Sequence, residues 1–125
     1  MAGSKGSKYF DVFLKYQCWL DTKEGENILG EEMIGLLKGI EEDGSIQASA
    51  NKNKISYRKA WGIIKDSEEI LNFAIVEKKR GGKDGGTTTL TDDGKKLLLA
   101  FDELHKEFDI AIHNIAKKFF NNLNK

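Results

Sequence analysis

Between Gly44 and Leu90 the chain carries a run of element signals that few folds accommodate. Ser45 precedes a short stretch of small and apolar residues, Ile46 to Asn51, which ends in the polar break Lys52-Asn53-Lys54. Ser56 then stands directly before an amphipathic run, Tyr57 to about Asn72, in which Tyr57, Ala60, Trp61, Ile64 and Leu71 recur on one helical face. A serine in that position accepts a hydrogen bond from a free amide of the first turn, so it marks a helix start. Phe73 to Lys79 and Thr87 to Leu90 read as strands, joined by Arg80 to Gly86, a basic loop with four glycines. Those glycines permit backbone angles that other residues avoid. A short helix, a tight turn, a second helix and two strands around a flexible loop predict a helix-turn-helix followed by a wing.

The flanks complete the expected architecture. Tyr9 to Leu20 is rich in aromatic and β-branched residues, Asp21 to Glu26 is a turn signal, and Asn27 to Leu29 reads as a return strand, so a β-hairpin is predicted. A helix follows from about Gly30 to Asp43, with Met33, Ile34, Leu36, Leu37 and Ile40 as its apolar stripe and Gly44 as its C-terminal cap. Thr91 caps a final helix from Asp92 to about Asn122, with acids in the first turn where the helix dipole favours them. Its residues Leu97, Phe101, Leu104, Phe108, Ala111 and Ile115 follow the alternating three- and four-residue steps of a coiled-coil seam. Such a helix is about 45 Å long, more than a small winged domain covers. Its first half is expected to pack on its own chain. Its second half, from Phe108 to Leu123, is read as pairing with a twin helix of another subunit. The fold class is therefore mostly α with a small β component (α+β). It divides into a flexible arm at 1–8, a winged helix-turn-helix domain at 9–91 and a dimerisation helix at 92–125, with the helix-turn-helix at about 45–72 and the wing at about 73–90.

Composition narrows the function. The chain has 20 basic and 20 acidic residues and no net charge, yet between residues 44 and 83 nine basic residues face four acidic ones. A local basic patch attracts polyanions whatever the total charge. No apolar run approaches the roughly 18 residues of a membrane helix, and the first residues lack the apolar core of a secretory signal. The single cysteine, Cys18, excludes an internal disulfide framework, fits a reducing cytoplasm and is read as a packed thiol. Catalytic chemistry finds no footing. Lys83-Asp84 within the glycine loop lacks the ending and the following helix of a phosphate-binding loop. His105, Asp109 and His113 share a helix face, but in the heptad register they fall outside the apolar seam and are read as solvated rather than as metal ligands. No nucleophile–base constellation emerges, so no enzyme, cofactor or metal is expected. Placement favours DNA instead. Arg58 and Lys59 lie in the first turn of a helix, where amides and side chains meet phosphate or a guanine edge, and the wing tip carries Arg80 and Lys83.

Several motifs occur in a specific order: Gly44-Ser45-Ile46, then Ile55-Ser56-Tyr57-Arg58-Lys59-Ala60-Trp61, then Val76-Glu77, then Gly81-Gly82-Lys83 with Gly85-Gly86, then Leu90-Thr91 with Gly94. In that order they resemble the N-terminal DNA-binding domain of molybdate-dependent (ModE-type, LysR-related) transcriptional regulators, over nearly the whole chain. The resemblance implies a homodimer with the second helix of the helix-turn-helix in the major groove. Carried over by position, Ser56, Tyr57, Arg58, Lys59, Arg80 and Lys83 face DNA, while Ala60 and Trp61 pack the helix. Leu104, Phe108, Ala111, Ile115 and Phe119 are assigned to the dimer. The family usually has leucine and glycine where this chain has Asn53 and Lys54. The turn is expected to survive in a shifted form, because asparagine tolerates the left-handed conformation. Molybdate binding belongs to a further C-terminal domain of full-length members and is not implied here. The expected function is that of a cytoplasmic, sequence-specific regulator bound to double-stranded DNA. The alternative is a non-catalytic protein-interaction module on the same scaffold.

Overall fold

A computed structural model describes residues 8–79 and 86–125. In chain order the elements are β1 (Leu20–Asp21), β2 (Asn27–Leu29), α1 (Glu31–Asp43), α2 (Ile46–Lys52), α3 (Tyr57–Leu71), β3 (Val76–Lys79), β4 (Thr87–Leu90) and α4 (Asp92–Leu123). The fold is α+β and winged-helix in type: three short helices, an antiparallel two-stranded ribbon and a long last helix. The chain divides into two units, Cys18–Phe101 and a second that joins Asp102–Lys125 to the described residues before Cys18.

In the first unit the helix ends are local chemistry. The Ser45 hydroxyl accepts from the Ala48 amide at 3.1 Å and opens α2, and the Ser56 hydroxyl accepts from the Lys59 amide at 3.0 Å and opens α3. Gly44, at φ 67°, closes α1 by donating its amide to the Ile40 carbonyl at 2.8 Å. The apolar stripe of α1 supplies the core: Met33, Leu36, Leu37 and Ile40 are at most 2 % exposed. Buried with them are Ile46 and Ala50 of α2, Ala60 and Ile64 of α3, and Ile75, Val76, Leu90, Leu98 and Phe101. Each large aliphatic chain buried this way contributes roughly 1.5–3 kcal/mol.

Three polar ties set the frame on which α3 and the ribbon sit. Ser49 is fully buried and donates to the Leu36 carbonyl at 2.6 Å, while a Cβ on Gly39 would collide with the Ser49 side chain, so α1 and α2 cross at close range. The Glu68 carboxylate accepts from the amides of Ile75 at 2.7 Å and Val76 at 3.2 Å. That bond and the left-handed Asn72 (φ 64°) turn the chain out of α3, which is why β3 begins at Val76 and not at Phe73. The ribbon pairs Val76 with Leu90 and Lys79 with Thr87 in unbroken register, and the Thr88 amide donates to the Gly44 carbonyl at 2.8 Å. At the base of the ribbon, Thr91 donates its hydroxyl to the Ala74 carbonyl at 2.7 Å and accepts from the Gly94 amide at 3.0 Å, capping α4.

The turn between α2 and α3 corrects one expectation. Asn53 keeps an ordinary backbone (φ −89°, ψ 4°), and Lys54 takes the left-handed conformation at φ 59°. The left-handed residue of the turn is thus the lysine and not the asparagine expected to tolerate that angle. Asn53 is recruited differently, donating its side-chain amide to the Ser49 carbonyl at 2.8 Å, with its carbonyl oxygen against Gly35.

The N-terminal hairpin is shorter than expected. Only Leu20 and Asp21 form β1, opposite Leu29 and Asn27. The preceding aromatics serve the second unit instead. There the Tyr9 ring lies 6.5 Å from that of Phe120, and Tyr16 lies 6.2 Å from Phe108 and 5.8 Å from His105. The Tyr16 hydroxyl donates to Asp109. Aromatic rings packed on a helix need no strand ladder, and the loose alternation of this stretch does not demand one. His105 is consequently half-covered, where full solvation was expected, and its Nδ1 lies 3.6 Å from Asp109. On this part of α4, Ala116 and Phe120 are buried, and Ile112 is half-buried.

Candidate nucleic-acid interface

The first turn of α3 offers its residues unequally. Ser56 spends its hydroxyl on the Lys59 amide, as an N-cap does. Tyr57 is 39 % exposed, and its hydroxyl accepts a hydrogen bond from Lys78 Nζ at 3.1 Å. Arg58 is exposed, and among the described residues no acid pairs with it. Lys59 lies 3.6 Å from Glu32, but both side chains are about half exposed, and a surface pair of this kind is worth no more than about 1 kcal/mol. The pair leaves Lys59 able to turn to a stronger anion. Arg80 and Lys83, the expected wing-tip cations, lie outside the described residues.

The packing underside of α3 is narrower than expected. Ala60, Ile64 and Ser67 are its buried residues, and the Ser67 hydroxyl donates to the Ile28 carbonyl at 2.6 Å. Trp61, expected in the core beside Ala60, is half-buried at the surface. Two ammonium groups stand against its ring, Lys65 and Lys78, each 4.6 Å from the ring centroid. Such cation–π contacts contribute about 0.5–1 kcal/mol at exposed sites, so Trp61 serves as a platform for lysines.

Lys78 joins this surface although it is absent from the residues that the sequence pattern singles out. In a strand, alternate residues share a face. Val76 is buried, so Lys78, two positions on, points back toward the helices, and Glu77 and Lys79 do not. That phase is readable in Val76-Glu77-Lys78-Lys79. Lys78 also lines a groove with Ile46, Gln47, Tyr57, Gly86 and Thr87.

Of the basic residues in this region, Lys52 is neutralised by Glu42 at 2.8 Å and Asp43 at 2.9 Å; the Glu42 hydrogen bond above all, then that of Asp43, holds its ammonium above the usual lysine range. Lys65 has Glu68 at 3.3 Å. Among the described residues from Gly44 to Lys79, the cations without a carboxylate partner are therefore Lys54, Arg58, Lys78 and Lys79, at the turn, the start of α3 and the ribbon. Among those residues, no group of three side chains is placed to hold a metal ion, and no helix is long and apolar enough to cross a membrane.

An α2–turn–α3 unit followed by an antiparallel ribbon defines a winged helix-turn-helix domain. Comparison with known proteins names its relatives. No family model matches the chain. It is 32 % identical over 99 residues, 79 % of its length, to the molybdenum transport protein ModE of Azotobacter vinelandii. It is 36 % identical over 64 % of its length to the transcriptional regulator ModE of Haemophilus influenzae, and 38 % identical over 62 % to the DNA-binding transcriptional dual regulator ModE of Escherichia coli. The chain is a homologue of the ModE-type regulators. It spans about a third of their length, 36 %, 31 % and 31 % in these three.

Proposed function

We propose that this chain binds double-stranded DNA as a homodimer and regulates transcription. The observation that carries the reading is the first turn of α3: Arg58 is exposed and free of acids among the described residues, on a winged helix-turn-helix frame whose homologues carry regulator names. In this reading α3 enters the major groove. Arg58 has the fork geometry to bind a guanine edge through two hydrogen bonds, and Tyr57 and Lys59 contact neighbouring edges or phosphates. Ser56 acts mainly through its amide and its capping bond. The wing, with Arg80 and Lys83 between β3 and β4, clamps the phosphate backbone. Reading DNA requires no catalytic group or cofactor, and the cytoplasm is where such a protein would act.

The dimer reading rests on α4. Leu104 is half-buried, and Phe108, Ala111, Ile115 and Phe119 are exposed along one line of the helix. Phe108, Ile115 and Phe119 are 43 %, 55 % and 51 % exposed, and Leu123 continues the line at 41 %. The N-terminal aromatics reach Phe120 through Tyr9 and one side of Phe108 through Tyr16, and they leave Ile115 and Phe119 more than half exposed. Its three- and four-residue steps suit a twin helix, and two-fold symmetry then matches a palindromic site.

The test is selection of binding sites from genomic DNA with the purified chain, followed by titration of the selected duplex and a scrambled one. Tight, salt-sensitive binding with preference for the selected duplex is expected. Absence of binding to any duplex at low salt refutes the reading and leaves the scaffold as a protein-interaction module.

A further inference from the structure

We propose that Lys78 is a positioning residue for Tyr57, fixing its ring and leaving its hydroxyl to act as a hydrogen-bond donor toward an acceptor on DNA. The inference rests on the DNA-binding reading and deepens it by naming what the tyrosine recognises. An ammonium group has three donors and no acceptor, so in the 3.1 Å contact the tyrosine oxygen must accept. The proton of that hydroxyl is then left for another partner. On duplex DNA such a partner is a phosphate oxygen, or N7 and O6 of guanine, N7 of adenine or O4 of thymine at the major-groove edge.

The geometry holds Lys78 in place from three sides. Its Nζ sits 4.6 Å from the Trp61 ring centroid and 5.8 Å from that of Tyr57, two rings one turn apart on α3. Its strand position is paired with Thr88, whose amide is bonded to the Gly44 carbonyl at 2.8 Å. Among the described residues no carboxylate pairs with Lys78. A ribbon residue thus sets the side chain of the first residue of α3, and a single ammonium couples the two DNA-facing parts of the fold. A lysine bridging to solvent alone would need neither ring.

Binding of the full chain to the selected and scrambled duplexes, followed by fluorescence anisotropy over a range of salt, tests this with Lys78→Met, Lys78→Arg, Tyr57→Phe and the double variant Lys78→Met/Tyr57→Phe. Loss of one charge-assisted hydrogen bond predicts about tenfold weaker binding for Tyr57→Phe and for Lys78→Met. The double variant should be no weaker than either single one, because both remove the same contact. Lys78→Arg should restore binding, and the salt dependence should keep its slope. A loss confined to the selected duplex identifies a base edge as the acceptor; an equal loss on both duplexes identifies phosphate. Far-ultraviolet circular dichroism and the unfolding midpoint check that each variant is folded. The proposal is overturned if Lys78→Met weakens binding by the same factor with and without Tyr57→Phe while the salt slope falls by about one phosphate contact, since Lys78 would then touch DNA itself. It is also overturned if Lys78→Met binds as well as the parent chain. A parent chain that binds no duplex instead removes the DNA-binding reading, and this inference with it.

Discussion

Replacing Lys54 by glycine should make the protein more stable. Lys54 sits at φ 59° in the turn between α2 and α3. For a residue with a Cβ the left-handed region costs roughly 1–2 kcal/mol, because the Cβ crowds the following carbonyl. Glycine is free of that cost but loses more backbone freedom on folding, a penalty of roughly 0.5–1 kcal/mol. The difference favours Lys54→Gly by about 0.5–1 kcal/mol. Little else changes, since the lysine side chain is exposed and has no acidic partner among the described residues. The bonds that define the turn, from the Ile55 amide to the Ala50 carbonyl at 3.0 Å and from the Lys54 amide to the Asn51 carbonyl at 3.2 Å, belong to the backbone and remain. Urea unfolding followed by far-ultraviolet circular dichroism, at one protein concentration, should show a higher midpoint with an unchanged m value. The thermal midpoint should rise by about 2–4 °C. Lys54→Ala is the control: it removes the same charge and stem but keeps the Cβ, so it should match the parent chain, and Lys54→Asn should fall between. If Lys54→Gly is no more stable than Lys54→Ala, the strain assigned to this turn does not exist.

Glycine-to-alanine changes in two helices should have opposite signs. At Gly62 no atom of the described residues beyond its own turn of helix lies within 4 Å of the added Cβ, so Gly62→Ala should stabilise by about 1 kcal/mol through helix propensity; at Gly39 the same methyl meets Ser49, and overpacking of about 1–3 kcal/mol should outweigh that gain, both read by urea unfolding. Arg58→Ala should cost about 1–3 kcal/mol of binding to the selected duplex and relax its sequence preference, measured by anisotropy against single-base variants. If the chain forms the proposed dimer, Ile115→Lys combined with Phe119→Lys should make it monomeric in sedimentation velocity without unfolding it, because both side chains are more than half exposed in the single chain. Loss of folding in that variant would mean the stripe packs within the chain.

Features of the fold that depend on neighbours along the chain are legible in the amino-acid sequence itself. Ser56, Thr91 and Gly44 act within a turn of themselves, and the helices they bound begin and end where expected. Legibility fails where a distant surface decides. Tyr9 and Tyr16 lie in a stretch with the composition of a strand, but nothing local says that α4 offers these two rings a better partner. The heptad steps on α4 pick out the line through Phe108 and Ile115. The burial of Ala116 and Phe120 follows from the N-terminal segment and cannot be read from the helix alone. Trp61 reads as an inward residue because it is large and apolar at a helical spacing, yet the lysines that flank it come partly from another element. At the candidate interface, Arg58 is legible from its place after a capping serine. Lys78 requires the phase of its strand, a signal carried by only four residues.

The base of the ribbon has a consequence for how such a domain can change. Glu68 holds the start of β3, Thr91 holds the end of β4, and Gly44 holds Thr88 between them, all through bonds to the main chain. Because each of them binds a main-chain atom of the ribbon or its base, the exposed side chains along β3 and β4 can change by mutation while the bonds that tie the strands to the frame carrying α3 remain. The exposed residues of α3 and those of the ribbon are thereby free to diverge at separate rates, with Lys78 excepted by its bond to Tyr57.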